Sequence, residues 1–136
     1  MKDLFDTEDP LDRVMRIAGT LKKRRQLIEE ALSHGQNANS FEHICKRVFE
    51  GSLDLYDLEN SIILMETVQY SNFSVYHGVI AGGDLEEILN FQHSLIRESK
   101  LRDCKFLTIT GRLGWVPVLK KRGWRHDLSY LSIEVD

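Results

Sequence analysis

Cysteine is scarce in this 136-residue chain: Cys45 and Cys104 are the only two, and they fall at no metal-binding or redox spacing. A disulfide scaffold and a cysteine-based zinc site are both excluded, and the expected setting is a reducing cytoplasm. Proline is equally rare, at Pro10 and Pro117, so the chain is neither a proline-rich linker nor a polyproline ligand. No apolar run approaches the roughly 20 residues that a membrane-spanning helix needs. The opening Met1-Lys2-Asp3-Leu4 does not read as a signal peptide. A surplus of positive charge is also missing: the net charge of -3 argues against nucleic acid as the main partner. What remains is an ordinary globular composition, 42% apolar and 29% charged, long enough for one domain with a core.

Charge is unevenly placed. Phe41 to Ile96 carries nine acids against Lys46 and Arg47, whereas Arg97 to Arg125 carries nine bases against Glu98 and Asp103. Such asymmetry belongs either to solvated faces or to complementary patches in an assembly.

Asp9-Pro10 is a helix start, an Asp cap followed by Pro at the first helical position. Leu11, Val14, Ala18, Leu21, Ile28 and Leu32 recur at helical spacing until Gly35. The basic quartet Lys22, Lys23, Arg24 and Arg25 interrupts this stripe, and Ser33 to Ser40 is small and polar. Residues 1–39 therefore read as a helical arm with a linker, packed on its own domain, docked on another subunit or, least favoured because the quartet lacks aromatic neighbours, touching nucleic acid. Residues 40–136 read as the compact domain. Ser40 caps a second helix over 41–50, closed by Gly51. Strands are expected at 53–58, 61–69 and 73–81, joined by short turns into an antiparallel meander. Phe73, Val75, His77 and Val79 are assigned to one face of the third strand, Tyr76 and Ile80 to the other.

Asp84 then caps a helix reaching about Arg102, followed by a strand at 105–110 that ends in Gly111-Arg112-Leu113-Gly114-Trp115. A short helix over 116–121 and a strand over 128–135 close the chain. A strand–helix–strand unit crosses over right-handed, so the third and fourth strands should be parallel neighbours. The expected class is α+β: a mixed sheet of order β-β-β-α-β-α-β, preceded by two helices. If the turn at Gly111 needs a positive φ, Gly111→Val should destabilise the domain by roughly 1–3 kcal/mol.

This order resembles the Gcn5-related N-acetyltransferase (GNAT) fold. The segment Phe41 to Val135 is similar, more narrowly, to short bacteriophage proteins of acetyltransferase-like type. Leu55-Tyr56, Ile62 to Val68, Val79 to Leu85, Thr110 to Trp115, Val118-Leu119 and Gly123-Trp124 carry the likeness. The resemblance implies that acetyl-coenzyme A, if bound, would lie against Ala81, Gly82, Gly83 and Gly111. Active members of the wider superfamily present Arg or Gln, two residues, Gly, one residue, then Gly or Ala to the pyrophosphate. Here that place reads Ala81-Gly82-Gly83-Asp84-Leu85-Glu86-Glu87: the basic residue is missing, and carboxylates occupy the first helical turn. They favour the helix and repel a phosphate.

The expected function is accordingly a virion-associated structural or assembly protein on a catalytically degenerate acetyltransferase-like fold. It would bind other phage proteins in an oligomeric assembly, in the head, neck or internal core, after synthesis in the host cytoplasm. No cofactor, metal or catalytic residue is assigned; Glu66 or His77 would be the base of an enzyme, with Tyr130 as acid, but no spacing pairs them. Arg112, Trp115 and Trp124 join the basic quartet as candidate protein-interaction residues, since Arg and Trp are enriched at such surfaces; the other reading makes them a packed core and a capped strand end. The alternative is an active N-acetyltransferase that uses acetyl-coenzyme A through an atypical loop to modify a host protein or a small amine. A third option is a regulator that binds a host protein and never enters the particle.

Overall fold

The computed structural model describes residues 8–111 and 113–135. Helix α1 (Pro10–Ser33) starts where the Asp9 carboxylate accepts the amide of Leu11 at 2.8 Å. Helix α2 (Phe41–Glu50) is capped by Ser40 and ends at Gly51, whose φ of 84° is the left-handed geometry glycine adopts freely. Three antiparallel strands follow, β1 (Asp54–Asp57), β2 (Ser61–Gln69) and β3 (Ser74–Gly83). Helices α3 (Leu85–Asn90) and α4 (Gln92–Leu101) lead to β4 (Phe106–Ile109), which pairs parallel with β3. A 3₁₀ turn, Leu113–Trp115, opens into α5 (Val116–Lys120). The sheet order is β1-β2-β3-β4, a mixed sheet with helices on both faces. Among the described residues, no helix is long and apolar enough to cross a membrane.

Two cores flank the sheet. On one face Ile17, Leu21 and Ile28 of α1 and Ile44 and Val48 of α2 cover Ile62, Leu64 and Ile80. On the other, Leu95 of α4 covers Ile63, Met65 and Tyr76. Of the readings open for the helix in residues 1–39, the structure shows the one in which it packs on its own domain: α1 supplies three buried side chains to the shared core. The expected helix from Leu85 to Arg102 is broken at Phe91, whose ring packs on Tyr56 with centroids 5.4 Å apart.

The face assignment along β3 needs a second correction. Leu64 pairs with Ile80 and Met65 with Gly78, so Val79 is an extra residue opposite β2. One inserted residue reverses the alternation. Tyr76 and Ile80, expected on one face, consequently belong to opposite cores. The expected closing strand also fails to form within the chain: residues 128–135 carry no ladder, and their apolar side chains are exposed.

Candidate functional site: the β3–β4 notch

β3 and β4 stay paired only as far as Gly78 and Ile109. Beyond that point β3 runs on to Gly83 while the other chain turns away at Gly111, leaving a notch on the α3/α4 face. Met65, Leu107, Trp115, Leu119 and Trp124 reach into it, and the remaining cavity is about 40 Å³. That is the scale of a water or two, against roughly 300–1,000 Å³ for a small-molecule site. No ionisable side chain lines it among the described residues.

A strap holds the notch shut. Trp124 Nε1 donates to Gln92 Oε1 at 2.7 Å, and Gln92 Nε2 donates to the Arg122 carbonyl at 3.0 Å. Arg122 reaches Glu86 at 2.8 Å and Asn90 at 3.2 Å. Trp115 and Trp124, read from the sequence as interaction candidates, are thus half-buried and turned inward. Gly111 is not among the positive-φ glycines, so the condition for strain at that turn is not met; a Cβ there would stand 3.2 Å from the Trp115 ring. Arg112 lies outside the described residues.

The stretch proposed for a cofactor is occupied by the protein itself. Asp84 Oδ1 accepts the amides of Glu86 at 3.0 Å and Glu87 at 3.3 Å. These are the α3 donors that a pyrophosphate would need. Glu87 in turn accepts the Asn60 amide at 3.0 Å, which fixes the β1–β2 turn. Gly82 is pressed against α1, where a Cβ would lie 3.1 Å from the Leu27 carbonyl oxygen. Gly83, at φ 120°, abuts the Asn60 carbonyl. Ala81 packs in the second core.

The basic quartet is mostly engaged within the chain. Arg24 is the tightest member: it pairs with Asp57 at 2.8 Å and donates to the Leu58 and Glu59 carbonyls at 2.6 and 3.0 Å. Lys23 shares Asp57 at 2.9 Å, and Arg25 pairs with Glu29 and lies over the Phe41 ring. Lys22 is exposed and, among the described residues, has no ion pair. The charge asymmetry is likewise met partly inside the domain, through Arg102–Asp54 and Arg122–Glu86.

Glu66 and His77 face each other across β2 and β3, and Thr108 of β4 extends the row. Glu66 lies on the opposite side of β2 from its neighbour Met65 and pairs with Arg47 of α2 at 3.1 Å, whereas Thr108 also borders the notch. His77 Nδ1 sits 2.8 Å from Thr108 Oγ1. Burial lowers the His77 pKa, partly opposed by Glu66. A proton accepted by the unfolded chain near pH 6.5 is therefore resisted by the fold. Stability is expected to fall as pH drops below about 6.5 and to be flat in this term above it. Urea titrations at stepped pH check this, and His77→Gln should remove the slope. Tyr130, the suggested acid, is 83% exposed in the tail and far in sequence from both.

One cluster was invisible to sequence spacing. Tyr76 Oη donates to Asp54 Oδ2 at 2.7 Å and meets Tyr56 Oη at 2.7 Å, while Arg102 pairs with the same Asp54 at 2.9 Å. Burial raises the Tyr76 pKa, so it stays a phenol. The cluster ties β1, β3 and the end of α4 together, and it lies apart from the notch.

No family model and no curated relative matches this sequence. Solved structures do match. Glucosamine-6-phosphate N-acetyltransferase from Arabidopsis thaliana aligns with 85% of this chain and 94% of its own, at 14% identity and a TM-score of 0.56. The fold is that of the GNAT acetyltransferases. A probable acetyltransferase aligns at 12% identity, TM-score 0.59, over 87% of this chain and 92% of that one. An acetyltransferase from Trypanosoma brucei aligns at 12% identity, TM-score 0.56, over 78% and 89%. At such identities the likeness concerns the GNAT fold alone, and the mixed α+β class expected from the sequence is the one observed.

Proposed function

We propose that this chain uses a GNAT fold as a protein-binding module, with its cofactor place given over to packing, and that it works as a structural part of a phage particle. The observation that carries the first half is the Asp84 carboxylate on the first amides of α3, beside glycines wedged against α1 and the β1–β2 turn. A pyrophosphate would have to displace a covalently tethered anion and then sit beside Glu86 and Glu87. The placement in a particle, among head, neck or core proteins, rests on the resemblance of Phe41 to Val135 to phage proteins.

Two measurements test the proposal. Calorimetry with acetyl-coenzyme A is expected to give no heat of binding at millimolar ligand. Micromolar binding would overturn the module reading in favour of an N-acetyltransferase acting on a protein or amine. Mass spectrometry of purified virions is expected to find the chain in stoichiometric amount. Its absence there would instead favour a regulator of a host protein.

A further inference from the structure

Helix α1 packs on its own domain from Ile17 onward, and its opening turns project beyond it. Every residue from Pro10 to Arg16 is exposed. Yet this overhang is apolar: Leu11 is 66% exposed, Met15 63% and Val14 44%. The buried side chains Ile17, Leu21 and Ile28 mark the face that meets the sheet. At 3.6 residues per turn, Leu11, Met15, Ala18 and Lys22 form a second stripe roughly 110° around the helix. Their steps of four, three and four residues are those of a helix-pairing seam. The seam is open to solvent: Ala18 is exposed, and a Cβ on Gly19 would meet no group within 4 Å.

We infer that α1 pairs antiparallel with α1 of a second copy of this chain along that stripe. Shape favours a second copy. With a two-fold axis passing between positions 15 and 18, each long Met15 side chain seats over the partner's small Ala18. Each Leu11 then lies along the alkyl stem of the partner's Lys22. Charge favours it too. The same register sets Asp12 beside the ammonium group of the partner's Lys22. Both residues are exposed, and among the described residues neither has an ion pair within its own chain. A two-fold contact of this kind is self-complementary, so each ion pair forms twice and the assembly closes at two. The size of the contact makes it reversible. About 300 Å² of apolar side chain per copy is a patch large enough to mark an interaction site, but it leaves the interface below the roughly 1,200 Å² of standard complexes. The pairing stands apart from the virion and cofactor readings: a chain absent from particles can still pair, and a single chain can still be a particle component.

Sedimentation velocity on the full chain, from micromolar to millimolar concentration, is expected to show the mass rising from one chain to two. The double variant Leu11→Ser, Met15→Ser should weaken this association at least about tenfold while the far-ultraviolet spectrum is retained. Asp12→Lys and Lys22→Asp, each alone, set like charges against each other and should weaken it about threefold to tenfold. Combined in one chain they recreate the pair with its signs exchanged, and association should return. A full chain that keeps its single mass at millimolar concentration would overturn the inference, and so would a dimer indifferent to the serine variant. A combined reversal that fails to restore association would overturn it as well, because the antiparallel register is what joins position 12 to position 22.

Discussion

A chain lacking residues 1–36 is expected to yield no folded, soluble domain. The deletion removes Ile17, Leu21 and Ile28, which are 4%, 2% and 0% exposed. Truncating one such side chain to alanine costs about 2–5 kcal/mol, and a domain of this size is held by only about 5–15 kcal/mol in total. Removing the whole helix also uncovers Ile62, Leu64 and Ile80, a continuous apolar sheet face. It further strips Arg24 from the Leu58 and Glu59 carbonyls, so the β1–β2 turn loses its clamp. Expression followed by thermal melting checks the outcome. Aggregation, or a spectrum without a cooperative transition, is the expected result. A soluble domain with a sharp melt would restore the reading of 1–39 as a separate arm. Leu11→Ser with Met15→Ser is the control: these side chains are 66% and 63% exposed, and the fold should survive their loss.

That prediction turns on a point the sequence expressed only in part. The caps were plain: Ser40 and Gly51 bound α2 at the residues expected, and the apolar run within 61–69, set between two turns, gave β2 its observed ends. The crossover rule placed β4 parallel to β3. These are local signals, or topological ones that need no side-chain partner. The stripe of α1 was harder to judge, because a basic quartet appeared to interrupt it. Arg24 in fact lies at the border of the buried face and is satisfied by carbonyls 34 and 35 residues away, a pairing that no local spacing encodes. Val79 shows the same limit in a strand. A bulge is one residue opposite none, and the reversal it causes is visible only once β2 is laid beside β3.

The candidate site was located better than it was understood. The sequence marked the ends of β3 and β4 as the place where a GNAT ligand would insert, and a notch is there. It also marked the carboxylates at 84, 86 and 87 as hostile to phosphate. It left Trp115 and Trp124 between a packed core and an exposed anchor, and the structure shows them packed into the notch. It did not reveal that Arg122 closes the strap on Glu86. The tail is the inverse case. Its alternating pattern is strand-like, but a ladder needs a partner edge, and none lies against it among the described residues.

Gly83→Ala is expected to destabilise the domain by about 3–5 kcal/mol, a drop in melting temperature of roughly 10 °C or more. Two costs combine at this residue. Its φ of 120° lies where side chains are strained, and an added Cβ would collide with the Asn60 carbonyl and stand 2.7 Å from Ser61 Cα. Both obstacles are backbone, held in turn by the Leu58–Ser61 hydrogen bond and by Glu87, so neither can yield cheaply. Gly82→Ala meets only a 3.1 Å approach to the Leu27 carbonyl oxygen and should cost about 1 kcal/mol. The comparison bears directly on function. Glycines that serve a phosphate loop are there for backbone access, so their replacement would impair acetyl-coenzyme A binding while leaving the melt nearly unchanged. Glycines that let β3 turn past the β1–β2 loop would show the reverse, a lost melt with no binding to lose. Urea unfolding of the two variants, beside calorimetry on each, separates the cases. If Gly83→Ala melts within about 1 kcal/mol of the parent chain, the packing account of this turn fails and the cofactor reading gains the ground it loses.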